Sequence, residues 1–178
     1  ILDMAPYNSA LIGYPINELN AYKESVALQK PIASAAGNYF GKKSIIFFAP
    51  AILAFVHDQP PIVQGVVAMV LPLDELFKEI KLLSENSSGA IYIIDQQELF
   101  LYHDDTELIL TRDLNAISSH PIIQEIYAAM IDNKKGFSTY TINNEKNFVA
   151  FSPIPKVNWS LGIYGSYDEI ASEIQRIA

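Results

Sequence analysis

One pattern occurs twice in this chain, and it limits the fold more than any other feature. The first copy runs helix, Lys30-Pro31, strand, a turn holding Lys42 and Lys43, strand with Phe48-Ala49-Pro50, loop, strand, then a helix opening Leu73-Asp74-Glu75-Leu76. The second runs helix, Lys135-Gly136, strand, a turn holding Lys146, strand with Phe151-Ser152-Pro153, loop, strand, then a helix opening Tyr167-Asp168-Glu169-Ile170. The offset between copies shrinks mainly after Pro50, where the first copy carries an extra loop at 57–61. Several matches in order with one indel indicate a duplicated module. Strands grouped in hairpins beside single helices predict an α+β chain with antiparallel sheets, in contrast to a doubly wound parallel one. The expected modules are residues 1–83, with a linking helix over 73–83, and residues 84–178.

Local signals fill in this plan. Asn17 is the expected N-cap of a helix through 28, with Leu19, Tyr22, Val26 and Ala27 inward, and Pro31 ends it. A short strand is expected at 11–14, and strands at 31–34, 44–55 and 62–71, with Gly65 as a bulge or close-approach point. The prolines at 60 and 61 put 57–61 in a loop. Leu73, Leu76, Phe77, Ile80 and Leu83 form one apolar helical stripe. Two strands, 90–94 and 99–102, flank Asp95–Glu98. Pro121 opens a helix to about 132 with Ile122, Ile126, Ala129 and Met130 inward, and Gly136 follows as a stop. Strands at 137–142, 148–152 and 158–165 precede a last helix carrying Ile170, Ile174 and Ile177 on one face. Trp159 is the expected core anchor of the second module.

Bulk properties exclude several functions. Half the residues are hydrophobic and 18% are charged, enough to bury a core. A net charge of −8 without a basic stripe argues against nucleic-acid binding. The absence of cysteine excludes disulfides, thiolate metal sites and a cysteine nucleophile, and it permits a periplasmic location. Spanning a bilayer takes about 20 apolar residues; the best candidate, 45–56, is shorter and is interrupted by Pro50. The abrupt start at Ile1 and the stop inside a helical pattern at Ala178 are expected of a piece with flanking segments.

Catalytic signals are weak. His103, Asp104 and Asp105 with Asp95 and Glu98 resemble a metal or acid–base cluster, but a hairpin end with solvated carboxylates accounts for them equally. His57 and His120 lack ligand spacing. Ser34, Ser44 and Ser152 have no His/Asp arrangement to pair with, and the eight glycines form no phosphate loop. No catalytic residue, metal or cofactor is expected.

Lys30-Pro-Ile-Ala-Ser34, the run from Gly41 to Pro50, Gly65-Val-Val-Ala-Met-Val-Leu-Pro-Leu73, Ala90-Ile-Tyr-Ile-Ile-Asp95, His103-Asp104, Lys135-Gly136, Phe151-Ser-Pro-Ile154 and Asn158-Trp-Ser-Leu161 follow one another in order. In these segments and their spacing the chain resembles the double Cache family of extracytoplasmic sensor domains. The resemblance implies two tandem PAS-like antiparallel sheet modules on a long N-terminal helix, which is largely missing here. It also implies a small organic ligand in the membrane-distal first module, membrane attachment through flanking helices, a homodimer through the N-terminal helix, and an extracytoplasmic location. Amino-acid-binding members look like Arg-x-Trp-Tyr on the distal helix with an Asp at the end of the Gly-Val-Val strand. The matching positions here are Leu19, Ala21, Tyr22 and Val70. An arginine would grip a carboxylate bidentately and an aspartate would hold an ammonium, so an α-amino-acid ligand is not expected. Candidate ligand residues are Tyr22, from the family position, and Ser34, Tyr39, Phe48 and Met69, from strands and a turn expected to face the distal helix. Core packing competes as an explanation, most strongly for Phe48 and Met69. A cytoplasmic PAS- or GAF-like regulatory module is the alternative that the same sheet-and-helix pattern allows.

Overall fold

The computed structural model describes residues 14–53, 62–85, 89–112 and 121–177, without the side chains of Leu53 and 173–177. The expected long N-terminal helix with its dimer contact, the short strand before Tyr14, the 57–61 loop, His57, His120, and the inward roles of Ile174 and Ile177 lie outside the described residues or side chains. The chain divides into two compact units, Ile1–Glu75 and Leu76–Ala178, each with its own antiparallel sheet.

In the first unit a short 3-10 helix, Ile16–Glu18, precedes α1 (Asn20–Leu28). Asn17 therefore does not cap α1. The residue at that position is Leu19, whose extended backbone (φ −64°, ψ 137°) separates the two helices and leaves α1 without a side-chain cap. Gln29 turns left-handed (φ 51°) and ends the helix just before Pro31. Four strands follow: β1 (Ile32–Ala33), β2 (Gly37–Tyr39), β3 (Lys42–Leu53) and β4 (Ile62–Pro72). β3 is the spine, since Ser44 and Phe48 each pair with residues on both sides. Phe40 (φ 55°) and Gly41 (φ 77°) supply the two left-handed residues that a tight β2–β3 hairpin needs. The β3–β4 register shifts between Ala51 and Ile52, opposite Gly65 and Val63, so Gln64 is the bulged residue beside the expected Gly65.

The linking helix is broken. Phe77 (φ −104°, ψ 16°) divides it into α2 (Leu73–Leu76) and α3 (Lys78–Ser84). Leu73 and Phe77 are buried but Leu83 is exposed, so the apolar stripe does not continue. Phe77 packs edge-on against Tyr102 (5.9 Å) and Trp159 (6.0 Å). These contacts place α3 with the second unit, so the units part at 75/76, eight residues before the boundary that spacing suggested.

The second unit orders its strands β6-β5-β9-β8-β7. They are β5 (Gly89–Asp95), β6 (Phe100–His103), β7 (Gly136–Ile142), β8 (Glu145–Ile154) and β9 (Trp159–Ser166), with α4 (Pro121–Ile131) and α5 (Tyr167–Ile177). Asn143 (φ 52°) and Asn144 (φ 66°) form the β7–β8 turn. Gly136 opens β7; Asn133 (φ 55°), just after α4, supplies the left-handed residue. α4 buries Ile123, Ile126, Tyr127 and Met130, a face rotated by one residue from the expected Ile122, Ile126, Ala129 and Met130. The Ser160 hydroxyl donates to the Met130 carbonyl (2.8 Å), tying the helix to β9. In both units a helix precedes three strands whose middle member pairs with its neighbours, and a helix follows.

Candidate ligand site

In the first unit α1 lies over one face of β3 and β4. Strand alternation puts Ile46 and Phe48 of β3, and Val66, Ala68 and Val70 of β4, on that face. Ile16, Ile46 and Phe48 are buried there, and Leu19, Ala21, Tyr22, Tyr39 and Phe40 pack around them. Tyr22 meets Phe48 edge-to-face, centroids 5.7 Å apart at 87°. Ser25 is fully buried beneath the helix; its hydroxyl contacts the carbonyls of Lys30 (3.0 Å) and Phe48 (3.4 Å). Sequence reading missed Ser25, although a small hydroxyl residue three positions after Tyr22 is the signal of a close helix–sheet approach.

Four of the five candidate residues belong to the α1 side. Phe48 is 0% exposed and central. Tyr39 reaches the cluster from β2, and its hydroxyl donates to the Ala35 carbonyl (3.0 Å). Ser34 is buried at the β1 end, accepting from the Ile46 N–H (2.9 Å) and donating to the Ala35 carbonyl (2.8 Å). Both hydroxyls thus hold the broken β1–β2 edge. Met69 lies elsewhere. It pairs with Phe47 on the opposite face and is 55% exposed, because Val66, Ala68 and Val70 take the inward positions of β4.

The positions compared with amino-acid-binding relatives converge. Leu19, Ala21, Tyr22 and Val70 all join this one cluster, and three of the four are aliphatic. The surface under α1 therefore offers ring faces and methyl groups.

The acidic hairpin end has a structural account. Asp95 accepts from the N–H groups of Gln97 and Leu99 (both 2.9 Å), forming the β5–β6 turn. Burial raises its carboxyl pKa, against those two donors. Asp104 accepts from the Ser84 hydroxyl (2.5 Å), the Tyr102 hydroxyl (3.0 Å) and the Ile91 N–H (3.1 Å). Tyr102 is pushed up to about 12, first by burial and then by that carboxylate. His103 is buried, its Nδ1 accepts from the Asp105 N–H (2.9 Å), and burial holds its pKa below the ordinary imidazole value. Among the described residues no group of three His, Cys, Asp or Glu side chains is placed to hold a metal ion.

The family model of the Cache domain matches residues 12–174. The chain belongs to the Cache family. Solved structures similar to this Cache chain include the ligand-binding domain of a Pseudomonas fluorescens chemoreceptor in complex with L-isoleucine, at 22% identity and TM-score 0.61, covering 91% of this chain and 63% of that one. The periplasmic sensory domain of a Campylobacter jejuni chemoreceptor is 16% identical at TM-score 0.63, covering 88% and 57%. An extracellular ligand-binding receptor from Desulfohalobium retbaense is 18% identical at TM-score 0.63, covering 89% and 26%. At these identities the likeness is one of fold, and this Cache chain spans 26% to 63% of those chains. No curated protein matches it. Two antiparallel sheets with their helices are the Cache architecture, a fold of sensory, ligand-binding domains.

Proposed function

We propose that this Cache domain is the extracytoplasmic sensor of a transmembrane receptor, and that its first module binds a small, weakly polar organic molecule between α1 and the β3–β4 face. The observation that carries the reading is the meeting of Leu19, Ala21 and Val70 with Tyr22 on one apolar surface. A zwitterion entering there would exchange water for methyl groups, and an unpaired buried charge is strongly disfavoured. A less polar ligand loses little hydration and gains contact with Tyr22, Tyr39 and Phe48. Tyr22 is the residue that would orient it. Ser34 and Tyr39 shape the wall, since their hydroxyls already donate to Ala35. Met69 faces the other side of the sheet and takes no part.

The domain senses; it does not catalyse. Its ligand acts by favouring one of two arrangements, and only by the difference in its affinity for them. The readout is a displacement of α5, and helix shifts of about 1–2 Å suffice for signalling in other systems. A thermal-shift screen of weakly polar organics, organic acids, polyamines, purines and amino acids tests the reading. A ligand at a hundredfold excess over its dissociation constant stabilises by about 2.7 kcal/mol. The expected result is a saturable rise with a weakly polar compound, abolished by Tyr22→Ala. A rise that survives Tyr22→Ala would place the ligand elsewhere.

A further inference from the structure

The inner face of the second sheet has a different chemistry. Tyr92 from β5, Tyr127 from α4 and Tyr164 from β9 gather there, with Tyr92 5.7 Å from Tyr127 and 5.8 Å from Tyr164 between centroids. Tyr140 from β7 packs on the same cluster. The Tyr92 ring lies flat on β9 because position 162 is glycine; a Cβ there would come within 2.1 Å of it. Burial raises the pKa of both Tyr92 and Tyr127, so both stay neutral phenols.

His103 enters this group from the end of β6. Its imidazole is 5.5 Å from Phe100, 6.4 Å from Tyr92 and 6.3 Å from Tyr164. It is 5% exposed. Nδ1 accepts from the Asp105 N–H, which fixes the proton on Nε2 in the neutral ring. Nε2 is buried and has no hydrogen-bond partner among the described residues. A buried donor without an acceptor is costly, and such a group calls for an explanation. Phenylalanine would fill the same slot between aromatic rings without that cost.

We propose that the second module holds a second ligand site at this point, and that its ligand is a small, uncharged, planar molecule that presents a carbonyl or ring-nitrogen acceptor to His103 Nε2. Planarity follows from the ring faces around the imidazole. His103 is 5% exposed, so a ligand carrying a net charge of either sign would lose its hydration on entering, and a neutral one is favoured. Tyr140 and Tyr164 are the half-buried rings of the group, and the ligand enters by displacing them. This site lies in a different module from the one proposed above, so either can fail without the other.

Three ring compounds of matched size and different charge test it: nicotinamide, nicotinate and 1-methylnicotinamide, with uracil and hypoxanthine as further neutral probes. The full chain, labelled with 15N, reports the His103 Nε2 resonance directly. At least one neutral probe is expected to move that resonance saturably. The two charged analogues are expected to bind at least about tenfold more weakly, the factor that one hydrogen bond commands. His103→Phe is expected to weaken the neutral probe by a similar factor while the unliganded protein melts at or near the wild-type temperature. No movement with any neutral probe overturns the proposal. So does a melting temperature more than about 5 °C lower for unliganded His103→Phe, because Nε2 would then be satisfied by an internal water and the histidine would be structural.

Discussion

The two helix-covered faces both belong to antiparallel sheets and differ in chemistry. Under α1 lie Ile46, Phe48, Val66, Ala68 and Val70, and the nearby Ser34 and Tyr39 hydroxyls donate to the Ala35 backbone carbonyl. Under α4 lie Tyr92 and Val149, which meet Tyr127 and Met130 of the helix itself, with Tyr140, Tyr164 and His103 nearby. Among the described residues the first sheet has four strands and the second five.

The largest effect that would sharpen this contrast is Phe48→Ala. Removing a buried phenylalanine costs about 3–5 kcal/mol, and here it should strip the first module of its central ring. The single tryptophan, Trp159, packs on Phe77 in the second unit, so its fluorescence reports that module. Circular dichroism should show an earlier loss of structure while the Trp159 transition stays near its wild-type midpoint. A common shift of both signals would mean that the modules unfold as one.

Gly162→Ala acts on the other face. Its new Cβ would run into the Tyr92 ring, and overpacking of this kind costs up to about 3 kcal/mol. The Trp159 transition should now move. Unchanged urea unfolding would show that Tyr92 can leave β9 freely.

The faces should also differ in their response to acid. Burial keeps the His103 pKa below its ordinary value, although Asp104 and Asp105 pull the other way. Between the folded value and about 6.5, the ordinary one, the unfolded chain binds a proton that the folded chain does not. Stability from this group is therefore complete above about pH 6.5 and falls as the pH drops below it. Chemical denaturation of wild type and His103→Phe at pH 7.5 and 5.5 measures it. Wild type should lose more stability than the variant, and equal losses would contradict the assignment. Met69→Thr should do least, within about 0.5 kcal/mol, because Met69 is exposed on the far side of β4.

Much of the architecture was legible. The repeat, the Asn143-Asn144 turn and the bulge beside Gly65 follow from residues whose backbone preferences are strong. The face of β4 was not legible, since Val67 and Met69 are as apolar as Val66, Ala68 and Val70 and the strand shows no alternation. The same ambiguity between Ile122 and Ile123 rotated the inner face of α4. The linking helix failed for a different reason: the break at Phe77 comes with a non-local contact, the seating of its ring on Tyr102 and Trp159. Leu19, Ala21, Tyr22 and Val70 share one cluster beside α1. His103 could not be read as buried, because its neighbours in sequence are two carboxylates that themselves stay exposed.

The central proposal is that the first module binds a weakly polar ligand and not an amino acid. Titration of the full chain with L-isoleucine, followed by melting temperature, tests it most directly. The account predicts no saturable change up to millimolar concentration. A saturable rise that disappears in Tyr22→Ala would contradict it, and would show that a zwitterion is held beside Leu19, Ala21 and Val70 without the charges it was thought to need.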